Sequence, residues 1–266
     1  AIGYQLGQAG PVVAEQAIDA AWLMSDDFDK ATGVLPPGEE DAIKYAWPRP
    51  GACIDGLPGT TPLLGFAAKQ THDPELLSVA EANTRSHISM CVRDDGSVSQ
   101  SATYDAAGRV TSQAAINGSS RDSTWARAQA WAMLGLAQAA HLTPEFTEPA
   151  TLVADWYLAH VPDDGVSYWD FDDPAIPAAP RDTSATAIAA AALAKLAPLA
   201  GDQYRDAARQ TLDALSAEHT NEHGALVGGC YNQRRGLATS NELIWGDYFM
   251  LEAALALDDR VDTALI

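Results

Sequence analysis

A chain of 266 residues, 47% hydrophobic and 20% charged, is long enough to bury a sizeable core, and a single domain over 1–266 is the natural reading. Its net charge of −20 and pI near 4.4 exclude polyanionic partners, so neither nucleic acid nor an anionic membrane surface is expected to bind. Alanine is abundant and β-branched runs are few, which favours helix.

The first predicted element is a helix over 11–26, with Pro11 in the tolerated first turn. Residues 29–52 hold Gly33, Pro36, Pro37, Gly38, Pro48, Pro50 and Gly51 and cannot form one regular element. A helix over about 54–71 follows despite Pro58 and Pro62. Asp73-Pro74-Glu75 then supplies a cap, a first-position proline and a first-turn acid, starting a helix that runs to about Val92. Residues 93–112 carry turn signals at Asp95-Gly96 and Ala107-Gly108 around a polar, Ser/Thr-rich stretch and read as a β-hairpin.

Asp122 or Ser123 is expected to cap the next helix, which reaches about His141 and holds Trp125, Arg127 and Trp131 within two turns. Further helices are predicted over about 144–160, 183–197, 202–219 and 241–257. Eight or nine helices separated by uneven loops suit paired inner and outer helices that bury one another. No run of about 18 apolar residues is read, so no membrane span is expected. Cys53, Cys91 and Cys230 are odd in number and far apart, which points to a reducing compartment, the cytoplasm. The chain does not open on Met, which points to a start inside a longer gene product or after processing.

Chemistry concentrates in residues 119–131, SSRDSTWARAQAW. A guanidinium forms a planar fork for a carboxylate, and indole faces are platforms for sugar rings, so the stretch reads as a surface for an acidic sugar. The plainer alternative makes the tryptophans core and Arg127 part of a surface network. Asp55, just after the Gly/Pro-rich loop, reads either as a catalytic carboxylate or as a helix cap. The acidic loop holding Trp169, Asp170, Asp172, Asp173, Arg181 and Asp182 lacks EF-hand spacing and is expected to be a salt-bridge network. His219 and His223 have no third ligand, so no metal site is expected.

Four ordered blocks then resemble one family. CIDGLPGTTPLLGFA (53–67), SRDSTWARAQAW (120–131), YWDFDDPAIPAAPRDTSATAIAAAALAKLA (168–197) and NELIWGDYFMLEAALAL (241–257) are similar to segments of unsaturated glucuronyl hydrolases, glycoside hydrolase family 88. The resemblance implies an all-α (α/α)6 barrel, a six-hairpin toroid. With eight or nine helices read, one or two N-terminal hairpins are expected to be missing and the ring to be open.

The resemblance also implies a reaction. Asp55 would be the general acid and base that hydrates the C4=C5 vinyl ether of an unsaturated uronic acid at the non-reducing end of lyase-generated oligosaccharides, with no cofactor. Trp47, Gln100, Asn117, Trp125, Arg127, Trp131 and Ser240 would bind that oligosaccharide. The chain departs from the family at three places. Ala1 stands where a second active-site aspartate belongs, Ile116-Asn117 where a His-Gln pair belongs, and Gln100 where a histidine belongs. Two other readings stand beside this one, an unsaturated rhamnogalacturonyl hydrolase on the same fold and a catalytically incomplete sugar-binding remnant. An open ring is expected to leave the chain monomeric or weakly associated through its exposed seams.

Overall fold

Alanine-rich segments with flanking caps build eight α-helices among the residues that the computed structural model describes, 5–7, 10–36 and 50–265. They are α1 (Pro11–Asp26), α2 (Leu57–Thr71), α3 (Pro74–Cys91), α4 (Ala126–Leu142), α5 (Thr147–His160), α6 (Thr183–Ala200), α7 (Asp202–Glu218) and α8 (Ile244–Leu257). The start of α3 follows the sequence closely: Asp73 accepts from Glu75 N, with Pro74 in the first turn. A 3-10 turn, Pro144–Phe146, leads into α5.

Helices α2, α4, α6 and α8 pack side by side as an inner arc, and α1, α3, α5 and α7 lie behind them. The inner helices are apolar nearly all round. Every residue from Thr183 to Ala197 is buried on α6, and nearly all of Ala126–Ala140 on α4. By length and composition α6 is apolar enough to cross a membrane, which corrects the reading that no such run exists; here 83% of it is buried against neighbouring helices, as in a core helix. Close packing at the head of the arc depends on Gly135, where a Cβ would lie 2.8 Å from Leu57 Cγ. A larger residue on α4 would push the start of α2 outward, and Asp55 with it.

Strands β1 (Gly51–Cys53), β2 (Ser101–Tyr104) and β3 (Val110–Ala114) form an antiparallel sheet in that order. The predicted hairpin is β2–β3, turning at Asp105–Arg109. Strand β1 is unforeseen, since three residues give no alternation to read. It pairs Cys53 with Ser101 and so carries the chain entering α2 alongside the chain entering the hairpin. Because α2, α4, α6 and α8 all return from the same side, this sheet and all four inner N-termini gather at one end of the arc.

Candidate active site

Asp55 sits in the one-turn 3-10 helix Ile54–Gly56 between β1 and α2. The cap reading fails, because α2 has no side-chain cap bond and its cap position is Gly56. Asp55 Oδ2 instead accepts from Gln100 Nε2 at 2.8 Å. The backbone makes this pairing, with Ile54 N donating to Gln100 O at 3.0 Å where β1 meets β2. Gln100 Oε1 accepts from Asn117 N at 2.9 Å, which turns the Gln100 amide nitrogen toward Asp55. Asp55 Oδ1 is buried without a hydrogen-bond partner.

Burial holds the Asp55 carboxyl up at about 6, against the opposing pull of the Gln100 bond, the Arg127 charge and the Cys53 thiol. Such a group is protonated over part of the neutral range and can give and take a proton. Burial likewise pushes the Cys91 thiol up to about 12, so it is no nucleophile there.

Arg127, in the first turn of α4, is 4% exposed. Its Nη1 donates to Asp182 Oδ2 at 2.5 Å and to Cys230 O at 2.7 Å, and Nη2 donates to Tyr231 O at 2.6 Å. The guanidinium lies 4.5 Å from the Trp125 ring centroid and 5.6 Å from that of Trp245. Its fork is therefore largely committed within the protein, and its charge and one edge are what it offers the site.

Trp125 is not in the helix as expected. It is the extended residue before α4, bridged to Asp170, with Ala126 N bonded to Trp169 O. Nor does Asp122 or Ser123 cap α4; Ser123 Oγ donates to Asp170 Oδ2 at 2.7 Å. Asp170 also takes Ser119 N, Ser119 Oγ and Asp172 N, so the acidic loop is a hydrogen-bonded brace for residues 117–124. Among the described residues no cluster of His, Cys, Asp and Glu has metal-ligating geometry.

The structure thus brings together Asp55, Gln100, Asn117, Trp125 and Arg127. Trp131 lies further along α4, half-buried and edge-on to Phe249 at 5.4 Å. Ser240 is exposed in the 229–241 loop, with no contact to Asp55 or Arg127. That loop is latched to the site by Asn232 Nδ2 donating to Asn117 Oδ1 and Arg234 Nη1 donating to Ile116 O. Trp47 and Ala1 lie outside the described residues. Sequence reasoning left Asp182 in the acidic loop, although Asp before Thr183-Ser184 is a plain N-cap signal; it caps α6 through Ser184 N and Ala185 N while holding Arg127.

The sequence pattern of glycosyl hydrolase family 88 matches residues 45–257. The chain belongs to this family. It is 36% identical over 214 residues to an unsaturated glucuronyl hydrolase of Bacillus sp. (strain GL1), spanning 75% of this chain and 57% of that protein. It is 34% identical over 225 residues to an unsaturated glucuronyl hydrolase of Formosa agariphila, spanning 80% and 56%. The solved structure of an unsaturated glucuronyl hydrolase from Bacillus sp. GL1, named as responsible for the degradation of glycosaminoglycan, superposes with a TM-score of 0.86 at 32% identity, covering 95% of this chain and 70% of that one. The arc is thus an (α/α)6 toroid fold, and the chain spans somewhat over half the length of these two curated relatives.

Proposed function

We propose that this family 88 chain carries the active-site end of a hydrolase that removes an unsaturated uronic acid from the non-reducing end of lyase-generated oligosaccharides. The observation that carries the reading is Asp55: a carboxyl held up at about 6 by burial, bonded on one oxygen by Gln100 and buried without a partner on the other. In this reading the Asp55 carboxyl delivers its proton to C4 of the vinyl ether, and positive charge develops at C5 and the ring oxygen. Water then adds at C5, giving its proton back to Asp55. The C5 hemiketal opens and the glycosidic bond breaks. One carboxyl that cycles a proton suffices, in contrast to the acid and nucleophile pair of ordinary glycosidases.

The net charge of −20 opposes an anionic substrate, yet the local field favours one. Arg127 stands at this mouth in the first turn of α4, where the helix start adds its own positive end. Trp131, half-buried on α4, offers an aromatic face for the sugar, whereas Trp125 is 3% exposed in the core with its ring against Arg127. A reducing compartment, the cytoplasm, goes with this reading, since Cys53, Cys91 and Cys230 are free and buried. Self-association at high concentration would use the apolar stripe of α8, where Ile244 and Leu251 are 76% and 53% exposed.

The test is an unsaturated uronyl disaccharide followed by the ultraviolet absorbance of its conjugated double bond. The signal should decay with this chain and hold steady with Asp55→Asn. A steady signal with both, while tryptophan fluorescence reports binding, would make the chain a sugar binder instead. Equal decay with both would remove Asp55 from the chemistry.

A further inference from the structure

Asp182 has no place in the steps above, yet it is fully buried beside their charged member. It is 0% exposed, and its two oxygens divide the work. Oδ1 accepts from Ser184 Oγ at 2.6 Å, Ser184 N at 3.2 Å and Cys230 N at 3.1 Å. Oδ2 faces the Arg127 guanidinium at 2.5 Å. The carbonyls of Cys230 and Tyr231 hold the guanidinium from the other side. Arg127 is thus seated between the head of α6 and the 229–231 loop. It acts on Asp55 through its charge, while Gln100 makes the direct bond to that carboxyl.

We propose that Asp182 is a positioning residue for the reaction: it clasps the Arg127 guanidinium away from the Asp55 carboxyl and cancels much of its charge. This inference rests on the reading of Asp55 as the proton donor. A guanidinium released from its clasp would be drawn to the Asp55 carboxyl, whose ionised form its charge already favours. An Asp55 paired with arginine would stay ionised and could not protonate the double bond. The clasp therefore lets one site hold a cation for an anionic substrate and a protonated acid together.

The titratable groups facing Asp55 are few. Cys53 stands on its own strand end and Cys91 at the end of α3, with both thiols pushed up by burial, and Arg127 comes from α4. His87 on α3 is held toward its neutral form by burial, with Nδ1 on Asn83 O. Among the described residues Arg127 is the one cation that acts on Asp55, so it is the group whose handling decides the protonation of that carboxyl.

The test is the titration of the Asp55 carboxyl carbon by carbon-13 NMR in this chain. Asp182→Asn keeps the shape and loses the charge, while Asp182→Ser keeps a good helix cap and serves if the first variant fails to fold. Both should lower the Asp55 midpoint by roughly one unit, leaving about tenfold less protonated acid at neutral pH. Asp182→Glu, which keeps the charge, should return the midpoint toward the parent value. In turnover, the basic limb of kcat/KM should shift down by the same amount in the neutral variants and recover in Asp182→Glu. A midpoint that stays put or rises in a folded neutral variant overturns the clasp. The titration needs no turnover, so a parent chain that leaves the substrate intact would count against the proposed activity and leave the clasp to be decided on its own.

Discussion

Two buried ion pairs cross the inner helices, and they are built differently. Arg127–Asp182 joins α4 to the head of α6 at 2.5 Å, inside a full set of carbonyl, hydroxyl and backbone partners. Lys195–Glu252 joins α6 to α8 at 2.7 Å, about 20 Å further along α6. There no carbonyl or hydroxyl is bonded to Lys195 Nζ, and Glu252 is its one charged partner among the described residues. Glu252 also lines an apolar cavity of about 330 Å³, with Phe66, Leu134, Tyr248 and Phe249. Burial pulls the Lys195 ammonium below its ordinary range, with the Glu252 charge opposing. Thus a buried charge becomes part of a site when its hydrogen bonds fix it beside a titratable group; without them it is a structural burden borne by its partner.

The largest effect should come from breaking the deep pair. Glu252→Leu leaves Lys195 buried and unpaired and should cost about 3–5 kcal/mol in denaturant unfolding. The double variant Lys195→Met, Glu252→Leu should recover most of that loss. Neither change should move the Asp55 midpoint, and a shift there would erase the distinction between the two regions.

At the other end, Asp55→Asn should cut turnover by about 10²-fold or more while stabilising the fold. The sign follows from the direction of the shift. Asp55 holds its proton more tightly folded, at about 6, than at its ordinary 3.8, so stability is full below 3.8 and is lost as pH rises through about 6. Asparagine escapes that loss. Above pH 6 the variant should gain as much as roughly 2–3 kcal/mol, with no gain below pH 4. A pH-independent difference between the two melting curves would mean that the carboxyl is not held up by its surroundings.

Arg127→Lys keeps the charge but cannot serve Asp182, Cys230 O and Tyr231 O together. Substrate binding by fluorescence should weaken by about 1.5–3 kcal/mol, and melting curves should show how much of this is loosening of the 229–231 loop. Unchanged binding would limit Arg127 to structure. The smallest effect is expected at the arc's edge. Leu251→Glu should lower self-association in sedimentation while changing stability by no more than about 0.5 kcal/mol; unchanged sedimentation would show that the α8 stripe is no contact surface.

Much of the arc was legible in the sequence because helices advertise themselves locally. Asp73-Pro74-Glu75 and the alanine-rich run at 183–200 needed only neighbours along the chain. At the candidate site single residues stood out in the sequence, but their arrangement did not. Asp55 and Gln100 meet through β1 and β2, and β1 is too short for a periodic signal. Arg127 and Asp182 are joined by the return of one loop onto another helix, and no local pattern encodes that pairing. Trp125 reads as helical by composition, but its backbone bridge to Asp170 holds it extended.

This end of the arc keeps a carboxyl partly protonated near neutral pH beside a buried cation. The direct measurement is the titration midpoint of the Asp55 side chain in the unmodified chain. That midpoint should lie at about 6. A midpoint at or below the ordinary 3.8 would mean that Arg127 is not held off, and that Asp55 is an ordinary carboxylate unable to serve as the acid.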